Sequence, residues 1–125
     1  MYRYNVLLLV ALTAFLVSST FVAAFTTNPS SDVDNNPKAV CNDAQCLLVW
    51  IRESSQSPTA DLFYQLFDHS GNKLGPERRI TVNSLVLATS VTAGKDTFLV
   101  AWSDFNTKTM NARIIDATGT GKDLQ

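Results

Sequence analysis

From residue 38 onward, short apolar and aromatic runs are separated by polar turns at the spacing expected of an antiparallel β-protein. No 3.6-residue stripe competes with it. Strands are predicted at Ala39–Cys41, Cys46–Arg52, Leu62–Asp68 and Arg79–Val82, and again at Leu85–Val91, Thr97–Ser103, Met110–Asp116 and Asp123–Gln125. The fold class is therefore all-β, with two four-stranded antiparallel meanders at residues 38–84 and 85–125. Alternation within the third strand puts Tyr64 on the face opposite Phe63 and Phe67.

The two sets also match residue by residue. Leu48-Val49-Trp50 aligns with Val100-Ala101-Trp102 at an offset of 52, and Leu66-Phe67-Asp68-His69-Ser70-Gly71 aligns with Ile114-Ile115-Asp116-Ala117-Thr118-Gly119 at an offset of 48. A shorter connection in the second copy, Phe105 to Lys108 against Ser54 to Ala60, lies where the offset changes. Asp68 and Asp116 stand where a carboxylate accepts amides two and three positions on, and Gly71 and Gly119 follow where a turn needs positive φ. Trp50, Trp102, Asp68, Gly71, Asp116 and Gly119 are thus the anchors of the repeat.

The N-terminal part reads differently. Arg3 is the only charge before Asp32, and Val6 to Val17 run apolar except for Thr13. A polar Ser18-Ser19-Thr20 patch and small residues at Val22 and Ala24 complete the parts of a signal peptide over residues 1–24, cut after Ala24. The competing reading is an uncleaved anchor over residues 5–25, and that span just reaches the roughly 20 residues a membrane crossing needs. The extracellular, secreted form is the expectation, with membrane contact only if the leader stays. Residues 25–37 hold two prolines and a single aliphatic, Val33, and read as a flexible lead-in. Asp32, Asp34, Asn36 and Asp43 mimic calcium-loop spacing, but Pro37 stands where such a loop requires glycine, so no metal is expected.

Charge narrows the partners. Without Arg3 the chain carries nine Lys and Arg against eleven acids, and its only cationic doublet is Arg78-Arg79, which argues against nucleic acid. The two cysteines, Cys41 and Cys46, are spaced C-x4-C, and an oxidising compartment favours a disulfide over free thiols or a metal site. Their bridge would staple the first two strands across a four-residue loop; Phe98 stands at the place of Cys46 in the second copy.

Cys41-Asn-Asp-Ala-Gln-Cys46-Leu-Leu-Val-Trp50, Asp61-Leu-Phe-Tyr-Gln-Leu-Phe-Asp68 and Ser70-Gly71-Asn-Lys-Leu-Gly75, together with Phe98-Leu-Val-Ala-Trp102 and Arg113-Ile-Ile-Asp-Ala-Thr-Gly119, resemble the blade-type repeats of secreted microbial β-propeller-like proteins. The resemblance spans Lys38–Gln125. It implies two propeller-blade-like meanders, where a closed propeller takes at least about four. Two blades leave open sheet edges, so the expectation is an incomplete propeller, a self-associating chain or a decayed copy. The stop within the last expected strand, Lys122 to Gln125, favours incompleteness.

Candidate chemistry is sparse. Asp68, His69 and Ser70 are relay residue types, but neighbours in one tight turn cannot align in sequence, and His69 is the only histidine. Glu53, Asp61 and Asp104 are candidates for a glycosidase carboxylate pair, set against the ordinary reading of acids on a soluble β-surface. Trp50 and Trp102 could stack on a sugar, though their place at the end of apolar strands fits core packing. No glycosylation acceptor occurs, because Asn28-Pro29-Ser30 has proline in the forbidden position. The expected function is a secreted non-enzymatic repeat module, without catalytic residues or cofactor, that binds a protein or carbohydrate or serves as a cell-surface scaffold. The alternative is a fragment of a secreted glycan-active β-propeller enzyme lacking its catalytic blades.

Overall fold

The hydrophobic pairs of the chain close into hairpins wherever a turn residue permits it. The computed structural model describes residues 31–124, so the leader at residues 1–24, the start of the lead-in, Asn28 and Gln125 lie outside the described residues. Eight strands follow in order: β1 (Val33–Cys41), β2 (Cys46–Glu53), β3 (Ala60–Phe67), β4 (Arg78–Arg79), β5 (Val86–Ala93), β6 (Thr97–Asp104), β7 (Thr109–Asp116) and β8 (Gly121–Leu124). They form two four-stranded antiparallel meanders, β1-β2-β3-β4 and β5-β6-β7-β8, in which each strand pairs with the next in sequence. The protein is all-β, and among the described residues no helix is long and apolar enough to cross a membrane.

The strands β1 and β4 depart most from the expected bounds, for local reasons, while β3 starts at Ala60 rather than Leu62 and β8 at Gly121 rather than Asp123. β1 begins at Val33 rather than Ala39, so the last part of the expected flexible lead-in is strand. A bulge between Asn35 and Lys38 makes this work: Asn36 takes φ 50° and carries Pro37 past the ladder without demanding its missing N–H. Fixing this stretch, Asp34 pairs with Arg52 at 2.6 Å and Asn35 donates to Glu53 at 2.5 Å. The Asp34 and Glu77 carboxylates hold the Arg52 guanidinium well above its usual range, against the opposing effect of burial. β4 is confined to Arg78–Arg79 instead of running to Val82. There the Thr81 hydroxyl, not a backbone carbonyl, accepts the Leu62 amide at 2.9 Å.

The core lies between the sheets. Leu47, Val49, Ile51, Leu62, Tyr64 and Leu66 of the first sheet meet Phe98, Val100, Trp102 and Ile115 of the second. Cys41 and Cys46 face each other across β1 and β2 and are disulfide-bonded, their Cα atoms 4.0 Å apart. In the second sheet Ala93 and Phe98 occupy the corresponding pair, with Phe98 buried in the core.

Candidate functional site

The two Asp–Gly turns are built alike. Asp68 Oδ1 accepts the Ser70 and Asn72 amides at 2.9 and 2.8 Å, and Asp116 Oδ1 accepts the Thr118 and Thr120 amides at 2.8 and 3.0 Å. The amides captured are thus two and four positions on, correcting the expected two and three. The third position, Gly71 or Gly119, donates instead to the backbone carbonyl of the same aspartate. Both glycines take the positive φ the turn requires, 86° and 79°. The Asn72 side chain and amide hold the Asp68 carboxyl below the usual carboxylate range, and the Thr118 hydroxyl with the Thr120 amide does the same for Asp116.

The turns differ in surroundings. A Cβ on Gly71 would meet open space, whereas one on Gly119 would lie 3.3 Å from Leu66 Cδ1. Three side chains of the first sheet's half bind the second turn. Tyr64 Oη donates to Gly119 O at 2.6 Å, Arg78 Nη1 donates to the same oxygen at 2.7 Å, and Gln45 Nε2 donates to Ala117 O at 3.1 Å.

The tryptophans are both buried, Trp50 at 2 % and Trp102 at 7 % exposure, but in different places. Trp102 belongs to the core between the sheets. Trp50 lies on the other face of the first sheet, cross-strand from Phe63 and stacked on it with centroids 6.0 Å apart. Phe63 and Phe67 share that face and Tyr64 lies on the opposite one, as the alternation requires.

Beside Phe63 a pocket of about 220 Å³ is lined by Asp32, Arg52, Asp61, Phe63, Arg79 and Asn83 together with Ser54, Ser57 and Thr59 of the loop after β2. Arg52 sits 4.4 Å over the Phe63 ring and Arg79 5.7 Å from it, so guanidinium groups already engage the ring. Arg79 is in turn ion-paired to Asp61, and Arg52 to Asp34 and Glu77. Both guanidinium groups at this pocket are therefore ion-paired within the chain.

The acids considered for catalysis each hold a connection. Asp61 accepts the Thr81 hydroxyl at 2.7 Å and the Asn83 and Ser84 amides at 3.2 and 3.1 Å, which pins the segment joining the sheets. Asp104 accepts the Leu85 and Asn106 amides at 3.4 and 2.9 Å; burial would raise its carboxyl, but the Ser84 side chain and these amides keep it low. Glu53 accepts from Asn35. Of the relay residue types, Asp68 faces turn amides while His69 Nε2 lies 2.9 Å from Asn42 O, so carboxylate and imidazole serve different contacts. Among the described residues, no group of three or more His, Cys, Asp or Glu comes together to hold a metal.

The remaining feature is an open sheet face that the sequence reading did not single out. Opposite the core, the second sheet presents three cross-strand rows: Thr92-Leu99-Ile114-Lys122, Ser90-Ala101-Ala112-Leu124 and Ala88-Ser103-Met110. Leu99, Ala101, Ala112 and Ile114 are half-buried, and Met110 and Leu124 are 76 % and 44 % exposed. At the offsets of 52 and 48, these strands match Leu47, Val49, Leu62, Tyr64 and Leu66, all buried against the second sheet. The face was legible from alternation once the inward residues of β6 were known. The chain matches no protein-family model, no curated protein and no solved structure.

Proposed function

We propose that this chain is a secreted, non-enzymatic module of two stacked blade-type repeats, and that it works by presenting a sheet face to another macromolecule. One observation carries this reading: positions buried between the sheets in the first meander stand open in the second, on a face nearly free of charge. The largest contiguous apolar patch on a small protein is often its functional surface. The acids also support it, since Asp61, Asp68, Asp104 and Asp116 spend their acceptor capacity on turn amides. Secretion is supported by the charge-poor apolar leader and by the Cys41–Cys46 disulfide, a bond that oxidising compartments maintain.

The test is a binding screen of the purified, folded chain against arrayed glycans and extracellular proteins, with Ala112→Lys as control. Saturable binding that the control abolishes supports the reading. Silence from a folded sample overturns it. Expression in a secreting host tests the compartment: the recovered protein should begin at Phe25.

A further inference from the structure

We infer that a second site, apart from the open sheet face, holds a primary ammonium group carried on an apolar stem: the pocket where the end of β2 meets the start of β5.

The pocket exists because several local irregularities meet. Glu53 continues the core-facing row of Leu47, Val49 and Ile51, and its cross-strand partner on β3 is Ala60, which sets only a methyl group opposite it. β1 carries its bulge between Asn35 and Lys38, and β5 carries another between Val86 and Ala88, at Leu87. The loop from β2 to β3 has six residues, 54–59, against four, 105–108, in the second meander. Together these elements line a cavity of about 390 Å³. At about 30 Å³ for each water-sized group, it has room for on the order of a dozen non-hydrogen atoms. Bulges are over-represented beside such sites, where they re-aim side chains.

Its chemistry is one-sided. Ile51, Pro58, Ala60, Leu85, Val86 and Leu87 give an apolar wall, and Leu87 is 57 % exposed. Glu53 is the only charged residue that lines the pocket, so an anion is repelled and a cation attracted. Among the described residues Glu53 forms no ion pair. Arg52, its neighbour in sequence, lies on the other face of the strand and is bound to Asp34 and Glu77.

A second acceptor stands beside the carboxylate. Asn35 also lines the pocket, and its Nδ2 donates to Glu53 Oε1 at 2.5 Å, which fixes the orientation of the amide. Its Oδ1 is left as a buried acceptor without a hydrogen-bond partner among the described residues. Such an acceptor is costly until a donor reaches it. A primary ammonium brings three N–H donors and a positive charge to this pair, while its stem lies against the apolar wall. That chemistry belongs either to a free amine or to an apolar residue at the amino terminus of a peptide.

The test is a titration of the intact, isotope-labelled protein with 2-phenylethylammonium, followed by amide NMR shifts up to about 20 mM. Saturable shifts at Glu53, Ala60 and Leu87 are expected, with a Kd of roughly 1 mM for so small a ligand. The matched alcohol, 2-phenylethanol, should bind at least about tenfold more weakly, and 3-phenylpropionate should not bind. Glu53→Gln keeps an acceptor for Asn35 and removes the charge; it should weaken the ammonium at least about tenfold while leaving the alcohol, the disulfide and circular dichroism unchanged. Lys122→Gln on β8 should change none of these. Phe-Gly-Gly-amide and its N-acetylated form separate the two sources: a free-terminus peptide that binds more tightly than the amine, and loses this on acetylation, identifies the amino terminus, and otherwise the free amine is the ligand. Absent shifts, shifts confined to other regions, equal binding of amine and alcohol, or indifference to Glu53→Gln overturns the proposal. Failure here leaves the reading of the open face standing, since no residue of its three rows lines this pocket.

Discussion

The Tyr64 hydroxyl donates to the carbonyl of Gly119 at 2.6 Å, joining the third strand of one meander to the last turn of the other. The acceptor is shared with Arg78, so the turn is clamped by a neutral and a charged donor at once. Tyr64→Phe keeps the ring in the core and removes one of the two donors. A loss of about 1 kcal/mol in chemical denaturation is expected. Combined with Arg78→Gln, the loss should exceed the sum of the single effects, because the carbonyl then has neither donor; strict additivity would show that the clamp is not shared.

Gly119 and Gly71 occupy the same place in two turns with different neighbours. Gly71→Ala meets only the strain of a left-handed residue and should cost about 1 kcal/mol. Gly119→Ala adds a methyl close to Leu66 and should cost distinctly more. Equal losses by thermal unfolding would remove the distinction drawn between the turns.

Asp61 fixes the connection between the sheets. Asp61→Asn replaces one acceptor oxygen with a donor facing Arg79 and amide N–H groups, so about 2–3 kcal/mol should be lost. Asp104→Asn should also destabilise, through the Leu85 and Asn106 amides.

Acid should weaken the Asp116 turn in a defined direction. Its carboxyl is held below the ordinary value by Thr118 and Thr120, so the stabilisation is fully present above the unfolded value of about 3.9. It is lost as pH falls through the lower folded value. Unfolding measured between about pH 5 and about pH 2 should show a shallower decline in Asp116→Asn than in the native protein. Identical slopes would mean the carboxylate contributes nothing by ionisation.

The short Cys41–Cys46 loop restricts few unfolded conformations, and its removal by a double Cys→Ser change should cost about 2 kcal/mol without abolishing folding. The native protein should weigh two hydrogens less than the free-thiol form. Alkylation of both residues without reductant would contradict the bond.

The strands with the densest apolar runs were legible to within a residue or two: the paired cores of β2, β3, β6 and β7 follow from short apolar and aromatic runs bounded by polar turns. β1 was legible only in part, because Asn35, Asn36 and Pro37 read as loop until a bulge with Asn36 in the left-handed region shows how a strand can carry them. The shared burial of Trp50 and Trp102 was foreseeable; that Trp102 enters the core between the sheets while Trp50 lies on the other face of the first sheet was not. Alternation divides a strand into two faces without saying which one a neighbouring sheet will cover. The open face around Ala101 and Ala112 was hidden for the same reason. The carboxylates at Asp61 and Asp104 were ambiguous in sequence because a turn-binding acid and a catalytic one are the same residue type; only their amide partners separate them.

The pairing of each strand with its immediate successor also bears on how the chain acquires this shape. Apart from the β3–β4 connection at residues 68–77, these hairpins close over loops of three to six residues and need little search, so the two meanders can form early and independently. The contacts with long sequence separation are those between sheets, where Tyr64 reaches Gly119 and Trp102 enters the core. The rate-limiting event in refolding should therefore be the docking of two preformed sheets, slowed by substitutions at Trp102 more than by changes in any hairpin turn.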